Sequence, residues 1–280
     1  MFGEIMDSNE MLKLYDEVKD DLKFISSSGV RAKILINLTS GNTKLKDLKD
    51  DLDMESSTIL HAMKRLEERD IIFKQDDNYF LSPAGTIFGL KLLDVMKTIS
   101  TIKKNKNLWL NHEIGDIPEH LILRMGDLNE SILIESELAD IFKPLENYSQ
   151  ILMESEKIRG LSPIFNPDFI ETFKLLLDSG KEVELILTPQ IITEMMGIMD
   201  PASLMELGQL VSREELKLWT VDQNFKVAFT VTDKFISLGL FSTSGEYDNT
   251  KDLVSDHPDA VKWGNSLFEY YRDQAKKFRF

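Results

Sequence analysis

The 280-residue chain contains no cysteine. That excludes disulfides, thiol redox sensing, cysteine-held iron–sulfur clusters and cysteine-ligated zinc. Histidine is scarce, with His61, His112, His120 and His257 only. None stands at metal-ligand spacing from another; His112 and His120 with Glu113 and Glu119 between them are the nearest approach to a cluster, and the expectation is no metal and no cofactor. No Gly-rich phosphate loop, Ser–His–Asp arrangement or paired-carboxylate motif stands out, so no enzymatic activity is expected. No apolar run is long enough to span a bilayer, and the N-terminus lacks a basic-then-apolar leader, which leads to the expectation of a cytoplasmic protein.

Positive charge is also short. The chain carries 33 Lys+Arg against 48 Asp+Glu, a net of −15. The deficit is uneven: residues 1–104 hold 16 basic and 18 acidic residues, the remainder 17 and 30, and residues 23–74 alone hold 10 and 8. Contact with a polyanion depends on a local basic face rather than on total charge. Such a contact is therefore expected, if anywhere, in the N-terminal third.

That third has a distinctive order. Val30, Ile34, Leu35 and Leu38 recur at helical spacing, then Leu45, Leu48 and Leu52, then Ile59, Met63 and Leu66 with Ala62 beside them. Three short amphipathic helices sharing a small core follow. Thr43 is placed to cap the second, and the hydroxyls of Glu55-Ser-Ser-Thr58 to open the third. Ile71–Lys74 and Tyr79–Ser82 then flank Gln75-Asp-Asp-Asn78 as a hairpin. This is the order of a winged helix-turn-helix, whose third helix enters the major groove of DNA. With Ile59, Met63 and Leu66 inward, the outer face carries Ser57, Thr58, Leu60, His61, Lys64 and Arg65. Small polar groups near the helix start with longer donors behind them suit bases and phosphates. The expected DNA-binding residues are Ser56, Ser57, Thr58, His61, Lys64 and Arg65, with Lys74 from the wing. Asp76-Asp77 at the wing tip would repel phosphates and places a wing contact in doubt.

The segment from Leu52 to Ile72, with Glu55-Ser-Ser-Thr-Ile-Leu-His-Ala-Met-Lys-Arg-Leu66 at its centre, resembles the reading helix of archaeal winged-helix regulators. Ile158-Arg-Gly-Leu-Ser-Pro-Ile-Phe-Asn-Pro-Asp-Phe-Ile170, Gly180-Lys-Glu-Val-Glu-Leu-Ile-Leu-Thr188 and Ser244-Gly-Glu-Tyr-Asp248 extend the resemblance to a family of methanogen transcriptional regulators. In that family a winged helix is joined to a larger domain typical of methanogenesis regulators. The resemblance covers nearly the whole chain through short phrases rather than catalytic signatures. It implies DNA binding and transcriptional control.

Two further helices flank the reading head. Leu12, Tyr15, Val18, Leu22 and Ile25 fall near one side of the first. Ser82-Pro83, a cap followed by proline at the first helical position, opens a second from Ala84 to Ile102. Ile87, Leu90, Val95, Ile99 and Ile102 give it more apolar surface than a small winged helix can cover. Packing on the C-terminal domain and a homodimer helix both account for this, and a two-fold dimer matches two half-sites. Lys103-Lys-Asn-Lys-Asn107 reads as the junction, so the expected domains are 1–104 and 108–280.

The second domain alternates strands and helices. Strands are expected at Ile158–Ser162, Val183–Leu187, Leu216–Val221, Phe225–Val231 and Phe235–Phe241. Helices are expected at Asp168–Leu177, Ile191–Met199, Ser203–Val211 and Asp259–Lys277. The apolar run Val183–Leu187, broken only by Glu184, is the mark of a buried parallel strand. The fold class is thus α+β: a winged helix-turn-helix followed by an α/β mixed-sheet domain. Its order resembles the phospholipase D-like fold, but the His-x-Lys pair that those enzymes need is absent. A binding domain is expected, for a small-molecule effector held by Phe165, Asn166, Thr188, Trp219 and Tyr247 near strand ends. Plain core is the stronger reading of Phe165 and Trp219, and helix packing that of Met195, Met196, Met199 and Met205. An anionic effector would need a donor such as Arg159 or Lys181 to offset the acidic field.

Two functions stay open on these residues. One is a sequence-specific DNA-binding transcriptional regulator with a C-terminal domain that senses a ligand or a partner. The other is a protein–protein adaptor that uses its winged helix without DNA, which the acidic wing and net charge favour.

Overall fold

The computed structural model describes residues 7–279; the first six residues of the expected first domain and Phe280 lie outside them. The chain forms two compact units, Met1–Met96 and Lys97–Phe280.

In the first unit, helix α1 (Ser8–Ser26) buries Phe24 alone. Helix α2 (Gly29–Thr39) starts where the Ser28 hydroxyl accepts from the Arg31 amide, and it buries Ile34, Leu35 and Leu38. A short strand β1 (Thr43–Lys44) precedes helix α3 (Leu45–Leu52). Thr43 is therefore not the cap of α3: it pairs with Tyr79 in the sheet, and the cap position falls to Lys44, without a side-chain bond. Helix α4 (Ser56–Glu67) is capped at Glu55, again without a side-chain bond, so Ser56, Ser57 and Thr58 form its first turn rather than its cap. Between α3 and α4 the chain turns at Asp53, φ 49°, a left-handed position that Asp tolerates better than most residues.

Strands β2 (Ile72–Gln75) and β3 (Asn78–Leu81) form the hairpin, and with β1 they make a sheet ordered β1-β3-β2. Helix α5 (Pro83–Lys104) begins as expected, with Ser82 Oγ accepting from the Gly85 amide. Gly85 is required there, because a Cβ would run into the Ile71 carbonyl oxygen. One core joins the elements: Ile34, Leu35, Leu48, Ile59, Met63 and Leu66 are almost wholly removed from water. At roughly 1.5–3 kcal/mol per buried aliphatic side chain, this cluster is the main force assembling helices too short to persist alone.

The compact units divide between Met96 and Lys97, within α5. The last two turns of α5 are tied into the second unit: Thr101 Oγ1 donates to Met125 O, and Trp109 Nε1 donates to Thr101 O. At 103–107 the chain makes only a one-residue break at Asn105 before helix α6 (Lys106–Asn111).

The second unit continues with α7 (Glu119–Ile122), a 3-10 turn (Met125–Leu128), β4 (Ile132–Glu135), α8 (Lys143–Glu154), β5 (Lys157–Ser162) and α9 (Asp168–Asp178). Then come β6 (Glu182–Leu187), α10 (Pro189–Ile198), α11 (Pro201–Ser212), β7 (Leu216–Thr220), β8 (Val227–Thr232) and β9 (Ile236–Leu240). Strand β10 (Lys251–Ser255), helix α12 (Pro258–Arg272) and strand β11 (Lys276–Lys277) close it. Among the described residues the strands form one mixed sheet, ordered β11-β7-β6-β5-β8-β9-β10-β4. Strands β5, β6 and β7 run parallel; the other pairings are antiparallel. The expected closing helix stops at Arg272, because Lys276 and Lys277 pair with Thr220 and Trp219 at the sheet edge.

Alternation along the strands makes two cores. Leu161, Ile186, Phe229 and Leu238 face α12, where Trp263, Leu267 and Phe268 are fully buried. Ile158, Val183, Leu216 and Leu218 face the other way, toward α9, α10 and α11.

Candidate nucleic-acid interface and second-unit cavity

Helix α4 is two-faced. Ile59, Ala62, Met63 and Leu66 are buried, while Ser57, Thr58, Leu60, His61, Lys64 and Arg65 are exposed and Ser56 is half-buried. Ser57, Thr58, His61, Lys64 and Arg65 thus share one accessible face, and Ser56 lies off it. Lys64 has no ion-pair partner among the described residues. Arg65 pairs with Glu68 across one turn at 2.9 Å, both side chains about half exposed. Such a surface pair contributes about 0–1 kcal/mol and can be exchanged for a phosphate at little cost.

Lys74, on β2, is also exposed, its ammonium 5.5 Å from the Tyr79 ring centroid. The wing tip turns at Asp76, φ 53°. A hairpin turn needs a residue that accepts positive φ, so Asp76 answers a backbone requirement that does not extend to Asp77. The wing has one basic side chain, and its exposed Phe73 stacks on the half-buried Phe80, 5.3 Å apart.

Behind α4, Phe24 lies between two guanidinium groups, Arg31 at 4.2 Å and Arg69 at 4.1 Å from the ring centroid. Arg69 also pairs with Asp21 of α1. Burial, and then the charges of Arg65 and Arg69, lower the Arg31 pKa. Helical spacing on α1 did not reveal Phe24, since the apolar stripe there, Leu12, Tyr15 and Leu22, is exposed.

In the second unit the five expected ligand residues do not converge. Phe165 and Asn166 line a cavity of about 150 Å³ between the sheet and α9, α10 and α11. Thr188 is occupied as a cap, its hydroxyl accepting from the Ile191 amide. Trp219 lies on the opposite, α12-facing side of the sheet, and its indole donates to Glu184 Oε1 at 2.8 Å. Period-two alternation puts it there, since its neighbour Leu218 takes the cavity side. Tyr247 packs over Gly239 of β9 and against Phe241, where a Cβ on residue 239 would strike its ring. Arg159 and Lys181 are both engaged, Arg159 with Glu269 and Glu184, Lys181 with the carbonyls of Met153 and Ser155.

A buried polar patch that the sequence did not reveal occupies β8–β10. Asp252 accepts from Ser237 Oγ at 2.7 Å, and burial pushes its carboxyl up to about 6 against the effect of that bond. Tyr148 and Thr230 share a hydrogen bond nearby, and burial raises the Tyr148 hydroxyl to about 12. His112 lies between Leu108 O and Asp248 Oδ2, at 2.8 and 3.0 Å. His120 instead lies against Tyr270, the rings tilted at 55°. Among the described residues no group of three or more His, Asp or Glu side chains is placed to hold a metal ion. None of their helices is long and apolar enough to cross a membrane.

Three helices, a hairpin and a short third strand define a winged-helix protein, here joined to a mixed-sheet α/β unit. Two family models match in succession: the N-terminal domain of the methanogenesis regulatory protein FilR1 over residues 19–100, and its middle domain over 141–274. Together they span more than half of the chain, which belongs to this family of methanogen regulators. A curated relative, the methanogenesis regulatory protein FilR1 of Methanothrix harundinacea (strain 6Ac), is 28% identical over 275 residues. The match takes in 97% of this chain and 59% of the relative, so the chain spans about three-fifths of that protein's length.

Among solved structures, the archaeal chromatin protein TrmBL2 is similar over 97% of this chain and 100% of its own, with 14% identity and a TM-score of 0.42. The transcriptional repressor BigR from Xylella fastidiosa is similar over 31% of this chain and 90% of its own, with 22% identity and a TM-score of 0.28. Phosphatidylserine synthase of Haemophilus influenzae Rd KW20 is similar over 53% of this chain and 39% of its own, with 12% identity and a TM-score of 0.38.

Proposed function

We propose that this chain is a sequence-specific DNA-binding transcriptional regulator that acts in the cytoplasm and is not an enzyme. The observation that carries this reading is the face of α4, where Ser57, Thr58, His61, Lys64 and Arg65 are exposed opposite a fully buried apolar stripe. Ser56, Ser57 and Thr58 meet the backbone or bases at the helix start; His61, Lys64 and Arg65 reach base edges and phosphates further along. Lys74 adds one contact from the wing. The family description, a regulatory protein, supports the same reading.

The working form is a homodimer. Ile87, Leu90, Val95 and Ile99 on α5 are each at least half exposed, as are Leu12 and Tyr15 on α1. Covering these side chains with a second copy would present two reading helices to two half-sites. Residues 1–104 then serve as the DNA-binding part and 108–280 as the sensor of a ligand or partner. The second domain is a phospholipase D-like fold put to binding, its His-x-Lys pair missing. Phe165 and Asn166 belong to the sensing site; Thr188, Trp219 and Tyr247 support the sheet around it.

A second reading, an adaptor that binds protein through the winged helix, is favoured by the paired wing-tip acids and the net charge of −15. Selection of bound DNA from a random duplex pool at stated salt separates the two. A regulator enriches one motif, two-fold symmetric if dimeric, and an adaptor enriches none.

A further inference from the structure

The cavity between the sheet and α9, α10 and α11 has a floor of Leu185 and Leu218 and walls that include Phe173, Met195 and Leu207. Its volume, about 150 Å³, is enough for a single aromatic ring. The serine hydroxyls at its edge are already committed. Ser162 Oγ donates to Ile164 O and accepts from the Ile164 amide. Ser203 Oγ donates to Asp200, which also caps α11. The charges at its edge, Lys174 of α9 and Glu206 of α11, pair with each other at 2.8 Å.

We propose that this cavity is a binding site for a small, neutral, apolar molecule, the size of a single aromatic ring or a short branched hydrocarbon, carrying at most one hydroxyl or carbonyl. The assignment rests on the reading of the second domain as a sensor and names the chemistry of what it senses. A carboxylate or ammonium group would be stripped of water among Leu, Phe and Met side chains, and the cation and anion at the edge already neutralise each other. A sugar would bring several hydroxyl groups to a site whose serine hydroxyls are spent on their own loops. An uncharged apolar molecule meets neither penalty. Met195 and Met199 at the wall can reshape around it, because the methionine side chain is flexible and polarizable. The ligand would touch all three helices at once, and α9 and α11 are otherwise joined across the cavity edge by the exposed Lys174–Glu206 pair.

The test uses the full chain with carbon-13 methionine methyls, the Met195 and Met199 signals being assigned by substitution to leucine. Toluene is the probe, with sodium benzoate and glucose as charged and polar comparisons. The expected result is saturable movement of the Met195 and Met199 methyls with toluene alone, together with a rise in melting temperature. Leu207→Trp, which fills the cavity, should weaken toluene binding by more than about tenfold, a loss of one decade in Kd. Met195→Phe is the second variant should Leu207→Trp fail to fold. Absence of saturable methyl shifts in the folded native chain overturns the proposal, as does undiminished binding in a folded cavity-filling variant. If benzoate or glucose binds and alters DNA affinity while toluene does not bind, the sensor reading survives and this assignment fails. If toluene binds in the cavity but leaves DNA affinity unchanged, the site stands and the sensor reading fails.

Discussion

Arg31 closes on Phe24 twice. Its Nε and Nη2 both donate to the Phe24 carbonyl, at 2.9 and 2.6 Å, and its guanidinium carbon lies over the ring. The fork satisfies the free carbonyl near the C-terminal end of α1 while covering the one side chain that α1 buries. Arg31→Ala should therefore lower stability by roughly 1–3 kcal/mol in urea denaturation, from lost charge-assisted bonds and lost packing. Arg31→Lys should recover little of it, because an ammonium cannot reproduce the planar fork. Equal stability of the lysine and native proteins would show that only the charge matters there.

Gly85 sits where the start of α5 meets the Ile71 carbonyl. Alanine is the better helix former, and on propensity alone Gly85→Ala would stabilise by about 1 kcal/mol. The clash with backbone outweighs this, and a net loss of about 1–3 kcal/mol is expected. A higher melting temperature for the variant would refute the close approach.

Asp252 gives the second unit a pH signature. Its carboxyl is raised to about 6 by burial, opposed by its bond from Ser237. In the unfolded chain it titrates near the usual aspartate value of about 3.9. The folded state therefore holds the proton more tightly, and the stability this contributes is complete below about pH 4 and is lost as pH rises through about 6. Asp252→Asn keeps an acceptor for Ser237 and removes the charge. It should flatten that loss and raise stability at pH 7 by up to roughly 3 kcal/mol. Denaturation at pH 4.5, 6 and 7.5 checks this; parallel pH profiles for the two proteins would contradict it.

The exposed apolar strip of α5 carries the dimer proposal. Ile99 is 51% exposed, so Ile99→Glu places a charge at the proposed interface with little damage to either core. Sedimentation should give a dimer for the native chain at micromolar concentration and a monomer with weakened operator binding for the variant. A native monomer removes the premise.

Much of this fold was legible because two periods are hard to mistake. The 3.6-residue spacing of Ile34, Leu35 and Leu38 and of Ile59, Met63 and Leu66 gave the winged-helix core, which the structure buries almost completely. The apolar run at 183–187 proved to be a central strand, parallel to both neighbours. Short or polar elements were hidden. Thr43 looked like a helix cap because its pairing with Tyr79 is a tertiary contact, invisible to local chemistry. Strand β10 went unread because Lys251-Asp-Leu-Val-Ser255 includes a buried aspartate that Ser237 and the Leu238 backbone, across the sheet, make tolerable. The ligand residues were misgrouped for a related reason: Trp219 and Phe165 both lie near strand ends, but one residue of register sends Trp219 to the far side. The α4 face was the readable part of the candidate interface, since exposure follows directly from the buried stripe behind it.

The most direct test of the account is DNA binding by the Lys64→Ala/Arg65→Ala variant, measured across salt on the duplex that the native chain selects. Both side chains are exposed, so the variant should fold with a native melting temperature. Its affinity should fall, the salt slope should drop by about one for each phosphate contact removed, and discrimination should fall by about 1–3 kcal/mol wherever a base contact was lost. Unchanged affinity and slope in the folded variant would contradict the assignment of α4 as the reading helix.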